Sequence, residues 1–215
     1  MASATMNIAL FGATGGVGSL LLRRAASNGD SIRLLLRDRR KFAADLDGAH
    51  VDVVTGDVHD SANVAATIEG SDVVFSALGA RSLGATTLYS AGGGNIVTAM
   101  ERAGPRRLIV VTSGGAEREP NASFATRIAF GVILRNVLAD MRRWEDRITR
   151  SSLAWTIVRP TGLLDTPGTG TYRTADRFMP KGAASISRAD VADFLYRAAS
   201  DDSTIGKIVS LSGAV

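Results

Sequence analysis

The sequence of 215 residues contains no cysteine and only two histidines, His50 and His59. Without cysteine, a disulfide scaffold, a thiolate zinc site and a cysteine nucleophile are all excluded. A metal centre or a serine–histidine–acid triad would have to use one of these two histidines. We therefore expect no metal site.

Long hydrophobic runs are also absent, because no stretch approaches the ~18–20 apolar residues of a transmembrane helix. The first residues, MASATMN, lack the basic region of a signal peptide. We expect a cytoplasmic protein with no membrane partner. Net charge is +4, and basic residues cluster at 37–41 and 142–150. No stripe of aromatic residues interleaves with them, so we expect solvated surfaces and no nucleic-acid partner.

Short apolar runs alternate along the chain with segments of helical periodicity. Strands are predicted at 6–11, 31–36, 51–54, 72–77, 107–112, 154–158 and 207–211, and helices at 16–27, 61–69, 86–102, 124–150 and 188–199. Such alternation predicts a single α/β domain over 1–215: a doubly wound parallel sheet of about seven strands with helices on both faces. Residues 162–187, with one candidate strand at Thr171–Thr174, are interpreted as a small insertion at the sheet's C-terminal edge, where ligands bind.

A glycine-rich loop follows the first predicted strand and opens the first predicted helix. Its glycines have the spacing G-x-x-G-x-x-G. The first permits a tight turn, the second lets the backbone approach a pyrophosphate, and the third lets helix and strand pack closely, while the helix N-terminus offers N–H groups to phosphates. A strand–helix turn without a ligand is the alternative. The predicted dinucleotide-binding residues are Gly12, Thr14, Gly15, Gly16, Val17 and Gly18.

The end of the second predicted strand distinguishes between two cofactors. The strand ends in LLLRD at 34–38, and RRK follows at 39–41. An acidic residue here hydrogen-bonds the ribose 2′-hydroxyl of NAD, whereas a basic residue binds the 2′-phosphate of NADP. Arg37 and Lys41 therefore favour NADP(H). Asp38 is a competing acidic residue, and a solvated loop without a ligand is a third interpretation.

Two further strand ends carry candidate cofactor-binding residues. Asp57 and Val58 follow the third strand, where a carboxylate can accept a hydrogen bond from the adenine amino group. Leu78 follows the fourth strand, at the point where the strand order of a doubly wound sheet reverses. All these positions come directly after a strand, which predicts that they share one edge of the sheet.

Six segments of the chain resemble the short-chain dehydrogenase/reductase superfamily in its atypical NAD(P)H-binding branch. That branch includes NmrA-like proteins and biliverdin-IXβ reductase/flavin reductases. The resemblance covers nearly the whole chain and implies a Rossmann-like fold and an NAD(P)H cofactor. It depends on GATGGVG at 12–18, LLRD at 35–38, GDV at 56–58, LGARSLGATTLYSAGGGNIVTAM at 78–100, VVTSGG at 110–115 and WTIVRPTGL at 155–163.

The resemblance also implies roles for individual residues. In this family the loop after the fourth strand lines the cofactor, which implies Gly79 and Arg81. The serine after the fifth strand lies near the nicotinamide, which implies Ser113 as the catalytic residue, although a strand-end cap without a catalytic role is the alternative. The segment after the sixth strand supports the nicotinamide, which implies Pro160, Thr161, Gly162 and Leu163.

Two departures from the family pattern bear on the chemistry. Ordinary superfamily members use a tyrosine to protonate the substrate and a lysine four residues later to lower its pKa. The three tyrosines here, Tyr89, Tyr172 and Tyr196, are followed four residues later by glycine, aspartate and serine. The flavin reductase type also carries a histidine where Gly162 stands here, which puts activity on a tetrapyrrole in doubt.

The missing tyrosine–lysine pair favours chemistry that needs no protein acid, since water can protonate a reduced flavin or quinone. We therefore predict an NADPH-dependent oxidoreductase that transfers hydride to a small-molecule acceptor: a flavin, a quinone or a related conjugated compound. The alternatives are an NADP(H)-binding redox sensor of NmrA-like type and a reductase or isomerase of a biosynthetic intermediate. We expect a monomer or a homodimer.

Three further polar residues carry separate expectations. Asp140, on the long predicted helix, is a candidate proton donor, but a solvated carboxylate paired with a neighbouring arginine explains it more simply. Arg159 at the end of the sixth strand could meet a phosphate or a substrate carboxylate, or form an ion pair with a neighbouring acid. Tyr172, in the insertion, is expected to face the pocket.

Overall fold

Apolar runs and amphipathic segments alternate in the structure as they do in the sequence. The computed structural model describes residues 5–41, 49–80, 82–117, 132–179 and 182–214. The strands are β1 Asn7–Phe11, β2 Ser31–Leu36, β3 His50–Thr55, β4 Val73–Ser76, β5 Arg107–Val111, β6 Ala154–Pro160, β7 Leu163–Leu164, β8 Tyr172–Asp176, β9 Ile186–Ser187 and β10 Lys207–Gly213. The α-helices are α1 Gly16–Ser27, α2 Ser61–Ile68, α3 Gly94–Ala103, α4 Arg135–Thr149 and α5 Arg188–Ala198.

The main sheet has the strand order β3-β2-β1-β4-β5-β6-β10-β8. Its neighbouring strands are parallel, except that β8 runs antiparallel to β10. From β1 the chain builds β2 and β3 on one side and then crosses to β4 on the other. The strand order therefore reverses between β1 and β4, and the carboxyl ends of these strands form the crevice where doubly wound sheets bind ligands.

Helices cover both faces of this sheet because its strands are apolar on both sides. On β1, Ile8 and Leu10 belong to one apolar cluster, whereas Ala9 and Phe11 belong to another. Helices α1 and α5 pack on the first cluster, and α2, α3 and α4 pack on the second. This three-layer arrangement confirms the predicted Rossmann-like doubly wound α/β fold.

The structure departs from the predicted elements in three places. In the part of the chain described, the sheet has eight strands rather than about seven, because β8 from the insertion joins the edge beside β10. The predicted helix at 86–102 begins as a π-helical segment, Leu88–Gly93, before α3. The predicted helix at 124–150 is represented by α4, while 118–131 lies outside the described residues.

Among the described residues, no helix is long and apolar enough to cross a membrane. The same part of the chain contains no group of three or more histidine, cysteine or acidic side chains that could hold a metal ion.

Candidate functional site

The glycine loop forms a tight turn between β1 and α1. Gly12 has a φ of +86°, and a side-chain carbon there would lie 2.3 Å from the carbonyl oxygen of Ala77. Gly15 donates its N–H to the carbonyl of Gly12 at 3.0 Å. It begins α1 without a side-chain cap, and the first turn holds no acidic residue. The N–H groups and positive dipole end of α1 are therefore suited to an anionic ligand.

The residues that follow Gly15 in the first turn of α1 pack against the loop or lie beside it. Val17 and Gly18 are buried. A side-chain carbon at Gly18 would lie 2.1 Å from the carbonyl oxygen of Gly12, so α1 packs directly against the loop. Gly16 is exposed at the start of α1, and the side chain of Arg188 lies beside it.

A cavity of about 450 Å³ opens at the crevice between β1 and β4. Its walls come from the glycine loop, the end of β2 and the segments that follow β3 and β4. This is where the strand order reverses, as expected for a ligand site in this fold. Of the predicted cofactor-binding residues, those that line the cavity are Gly12, Thr14, Gly15, Arg37, Asp57, Val58, Leu78 and Gly79.

Arg37 and Asp38 stand at the cavity where β2 ends. Arg37 is exposed. The Asp38 carboxylate accepts hydrogen bonds from Arg40, at 3.0 Å from Nε and 3.2 Å from Nη2, and a third from the Arg40 backbone N–H at 3.1 Å. Asp38 is thus engaged by a neighbouring guanidinium. Lys41 ends the short helical turn that follows, and its side chain lies outside the described residues.

Asp57 lines the cavity after β3 together with His59. Its carboxylate accepts hydrogen bonds from the His59 backbone N–H at 2.9 Å and contacts the ring Nδ1 at 2.7 Å. The backbone bond from His59 is the largest of the effects that lower the pKa of Asp57 below its ordinary value, and Arg37 adds to them. Asn95 of α3 secures this segment by donating to the carbonyl oxygens of Val58 and His59, at 3.0 Å each. Asp57 is therefore a carboxylate at neutral pH and can accept a hydrogen bond from a ligand.

The wall after β4 is held by a buried tyrosine. The Tyr89 hydroxyl accepts the Ala80 N–H at 3.2 Å and donates to the carbonyl oxygen of Leu78 at 3.4 Å. The Asp140 carboxylate in turn accepts the Tyr89 N–H at 2.9 Å and is bonded to the N–H and hydroxyl of Ser90. The expectation of a solvated Asp140 is wrong, because this residue is 0% exposed. It is an acceptor at the start of the π-helical segment as well as an ion-pair partner of Arg143.

Ser113 lies at the end of β5, outside the cavity lining. Its Oγ accepts the N–H of Gly115 at 3.3 Å and caps the short helical turn Gly114–Ala116. This is the strand-end cap that was the alternative to a catalytic role. Because Oγ acts here as an acceptor, the bond does not use the hydroxyl proton.

The predicted nicotinamide-side segment after β6 is held by the insertion. Pro160 is the buried last residue of β6. Thr161 donates from Oγ1 to the carbonyl of Ala184 at 2.7 Å, and the carbonyl of Gly162 accepts the N–H of Ile186 at 2.9 Å. Leu163 begins β7, which pairs with β9. This segment thus lies at the carboxyl edge of the sheet but not on the cavity lining. Arg81 lies outside the described residues.

Arg159 forms ion pairs rather than an open anion site. Its buried guanidinium lies 2.6 Å from Glu145 and 3.1 Å from Glu117. Burial opposes its charge, but the bonds to these carboxylates outweigh burial and raise the pKa of Arg159. Tyr172 does not line the cavity, contrary to expectation, because its hydroxyl donates to Asp193 at 2.9 Å.

Several lining residues were not predicted from the sequence. They include apolar side chains under the strand ends and polar residues after β4. Strand-end position could have indicated the first group, and the second group lies within 78–100, the segment whose family resemblance implies a cofactor-lining loop. These residues are Phe11, Leu35, Leu36, Ser82, Thr86 and Leu88.

Comparisons with known proteins show the family of this chain. A family described as NAD(P)H-binding matches residues 12–202. The uncharacterized sugar epimerase YhfK of Bacillus subtilis is 28% identical, with 96% of this chain and 94% of that protein covered. The structure of ChuY, an anaerobillin reductase from Escherichia coli O157:H7, is 28% identical with a TM-score of 0.80, and 96% of each chain is covered.

A second similar structure shows the fold alone. It is a short-chain dehydrogenase/reductase from Veillonella parvula in complex with NADP, with a TM-score of 0.82 and 19% identity, covering 97% of this chain and 95% of that one. The family match spans most of the chain and includes the glycine loop. The chain therefore belongs to the NAD(P)H-binding family and is an oxidoreductase, and it shares the fold of the short-chain dehydrogenase/reductase.

Proposed function

We propose that this protein is an NADPH-dependent reductase that transfers hydride to a flavin, a quinone or a related conjugated acceptor. The observation that carries the choice of NADPH is the arrangement at the end of β2. Arg37 is exposed at the cavity, while Arg40 engages the competing Asp38 carboxylate. A guanidinium forms two charge-assisted hydrogen bonds to a 2′-phosphate, whereas an engaged carboxylate is a poor partner for a ribose hydroxyl.

The residues present fit a dinucleotide along the crevice. Gly15 leaves the approach to the α1 N-terminus open to a pyrophosphate. Asp57 and Val58 line the cavity, and Asp57 would accept a hydrogen bond from the adenine amino group. Thr14, Leu78 and Gly79 also line the cavity. In this proposal Lys41 assists Arg37, Arg81 completes the wall after β4, and Pro160, Thr161, Gly162 and Leu163 support the nicotinamide.

NADPH supplies the hydride from its nicotinamide ring, and the protein's task is to hold the acceptor about 3–3.5 Å from the donor carbon. Ser113 would orient the nicotinamide amide or hydrogen-bond the acceptor through its hydroxyl proton. The proton that completes reduction of a flavin or quinone comes from water. The absence of a Tyr-x-x-x-Lys pair in the sequence therefore does not prevent turnover.

The similarity to ChuY adds a linear tetrapyrrole to the acceptors to be considered. A linear tetrapyrrole is also a conjugated acceptor, and ChuY, described as an anaerobillin reductase, is 28% identical to this chain. The family's histidine is replaced by Gly162, so a tetrapyrrole would have to be protonated by water or by another group. Flavins and quinones accept hydride without that requirement and remain the preferred substrates.

The test is a fluorescence titration with NADPH and NADH, followed in the same cuvette by FMN, a quinone and biliverdin. We expect tighter binding of NADPH and its oxidation on addition of FMN or the quinone. Gly15→Val is the control for background reaction, because its side chain would occupy the pyrophosphate position. Binding without oxidation across the panel would contradict the reductase proposal, and equal binding of both cofactors would contradict the choice of NADPH.

Two other functions remain as outcomes of this test. NADPH binding without turnover, together with a co-purifying protein, would indicate the redox sensor. Turnover of a sugar nucleotide without net NADPH oxidation would indicate an isomerase, in line with the description of YhfK as a sugar epimerase. The cytoplasmic location and the choice between monomer and homodimer stay predictions, which fractionation and light scattering would check.

A further inference from the structure

Arg188, the first residue of α5, lies directly beside the glycine loop. A side-chain carbon added at Gly16 would lie 2.5 Å from Cδ and 2.7 Å from Nε of Arg188. The side chain of Arg188 therefore lies against the first turn of α1, next to Gly15, which lines the cavity. No other arginine or lysine takes the space beside a glycine of this loop among the described residues.

Arg188 approaches this loop from the side opposite to Arg37. Helix α5 packs against α1 and contacts β5 and β6, whereas Arg37 follows β2. In the strand order, β2 lies on one side of β1 and β5 and β6 lie on the other. If Arg37 marks the adenosine end of the cofactor, Arg188 stands toward its nicotinamide end.

The position of Arg188 is fixed by the helix start on which it stands. Ser187 caps α5 by accepting the N–H of Asp190 at 2.9 Å. Asp190 also accepts the N–H groups of Thr169 and Gly170, at 2.9 and 2.8 Å. The insertion loop and the start of α5 are thus tied together, so the backbone that carries Arg188 is held next to the glycine loop.

The guanidinium of Arg188 forms an ion pair with the solvent-exposed carboxylate of Asp165. Its Nη1 lies 2.7 Å from Oδ1 of Asp165, whose side chain is 85% exposed, whereas that of Arg188 is 26% exposed. Exposed ion pairs contribute little net stability because water competes with them. A phosphate, which carries a larger charge, can therefore replace Asp165 as the partner of the guanidinium at a small cost in free energy.

We propose that Arg188 binds the cofactor's pyrophosphate, at the phosphate nearer the nicotinamide, and that Asp165 holds the guanidinium beside the loop until the cofactor arrives. The inference rests on the dinucleotide site proposed above. It assigns a cofactor contact to a residue outside the family's glycine and strand-end motifs. It also connects the insertion, which carries Asp165, to occupancy of the cofactor site.

The experiment compares binding of NADPH and 2′,5′-ADP to the wild type and to Arg188→Gln, Asp165→Asn and the double variant. The second ligand carries the adenosine, its 2′-phosphate and one 5′-phosphate, but lacks the phosphate nearer the nicotinamide. We expect Arg188→Gln to weaken NADPH binding about tenfold, the loss of one charge-assisted contact. Binding of 2′,5′-ADP should change less than about twofold. Asp165→Asn should tighten NADPH binding in the wild-type background and have no effect when Arg188 is already replaced.

Arg24→Gln is the matched control. Arg24 is also an arginine between α1 and α5, but it lies in the last turn of α1 and pairs with Asp193 at 2.6 Å, away from the loop. It should lower the melting temperature without changing either affinity. Equal weakening of NADPH by Arg24→Gln and Arg188→Gln would mean that Arg188 is only a tether between helices and would overturn the proposal.

The two proposals fail in different ways. If the wild type binds neither ligand, the dinucleotide site itself is wrong. If the wild type binds both and Arg188→Gln leaves NADPH binding unchanged, or weakens both ligands equally, only the assignment of Arg188 is wrong. Arg188→Lys keeps a cation at this place, should retain part of the affinity, and serves in the same comparison if the glutamine variant does not fold.

Discussion

The Asp140 carboxylate on α4 accepts the backbone N–H of Tyr89 at 2.9 Å, although 51 positions separate the two residues in the chain. The hydroxyl of Tyr89 forms hydrogen bonds with the backbone of Leu78 and Ala80, which both line the cavity. Burial raises the pKa of Tyr89, which keeps the hydroxyl protonated and able to donate. A helix on the outer layer is thereby connected to the cavity wall through one buried side chain.

Tyr89→Phe tests whether this connection positions the cofactor wall. The phenylalanine ring keeps its contact with Trp144, whose ring centroid lies 5.9 Å away, but releases the backbone after β4. We expect a loss of about 1 kcal/mol in the free energy of unfolding, the usual cost of one hydrogen bond, and a severalfold weaker affinity for NADPH. Urea unfolding and fluorescence titration measure the two effects.

Tyr196→Phe is the matched control for this variant. The Tyr196 hydroxyl is also buried and donates to Asp30 at 2.6 Å, but Tyr196 does not line the cavity. It should reduce stability at least as much as Tyr89→Phe while leaving NADPH affinity unchanged. Parallel losses of affinity in both variants would show that the effect of Tyr89 comes from general destabilisation.

Arg37→Ala tests the assignment of the 2′-phosphate. Since the contact involves a group that only NADPH carries, we expect NADPH binding to weaken about tenfold or more and NADH binding to change little. Arg39→Ala is the control, because Arg39 is a neighbouring exposed arginine that does not line the cavity. Titration of both cofactors at two salt concentrations measures the effect. Equal weakening of NADPH and NADH by Arg37→Ala would refute the assignment.

Gly15→Val and Gly18→Val should fail for different reasons. A side-chain carbon at Gly15 would stay 3.3 Å from the nearest backbone oxygen, which a small shift accommodates, so the variant should fold but lose both cofactors. At Gly18 the corresponding distance is 2.1 Å, so α1 would be forced off the loop and the protein itself destabilised. Circular dichroism melting beside cofactor titration separates the two. A Gly15→Val protein that binds NADPH normally would exclude this loop as the pyrophosphate site.

The sequence predicts the parts of the site that depend on local pattern. Gly12, Arg37 and Asp57 each follow a buried apolar strand, and parallel strands place their carboxyl ends at one edge, so their proximity follows from the order of elements. The edge strand β8 was recognised as a strand, but its pairing with β10 was not. That pairing joins residues far apart in the chain, such as Asp176 and Val209.

Long-range side-chain contacts account for the remaining differences. The sequence around Asp140, a helical segment with neighbouring arginines, predicts a solvated carboxylate. Asp140 is buried because the π-helical segment packs on α4. No pattern in the sequence near Asp140 predicts that contact. The sequence likewise gives no sign that Arg188, at the start of a helix, lies near the glycine loop. The packing of α5 on α1 brings it there.

Asp190 should make stability depend on pH in the acid range. Burial alone would raise its pKa, but the N–H groups of Thr169 and Gly170 and the Ser187 hydroxyl donate to it and lower the pKa below the ordinary 3.8. The unfolded chain therefore binds a proton more readily than the folded protein. The contribution of Asp190 is fully present above the unfolded value and is lost as the pH falls through the lower folded value.

Asp190→Asn removes this contribution, so the wild type should exceed it in the free energy of unfolding by about 1–3 kcal/mol near neutral pH. The difference should stay constant down to about pH 5 and shrink below about pH 4, as the wild-type carboxylate is protonated. Urea titrations at several pH values measure it. Asp146→Asn, at an exposed position on α4, should differ little from the wild type throughout. A difference for Asp190→Asn that grows as the pH falls would contradict the lowered pKa and the bonding of the insertion loop to α5.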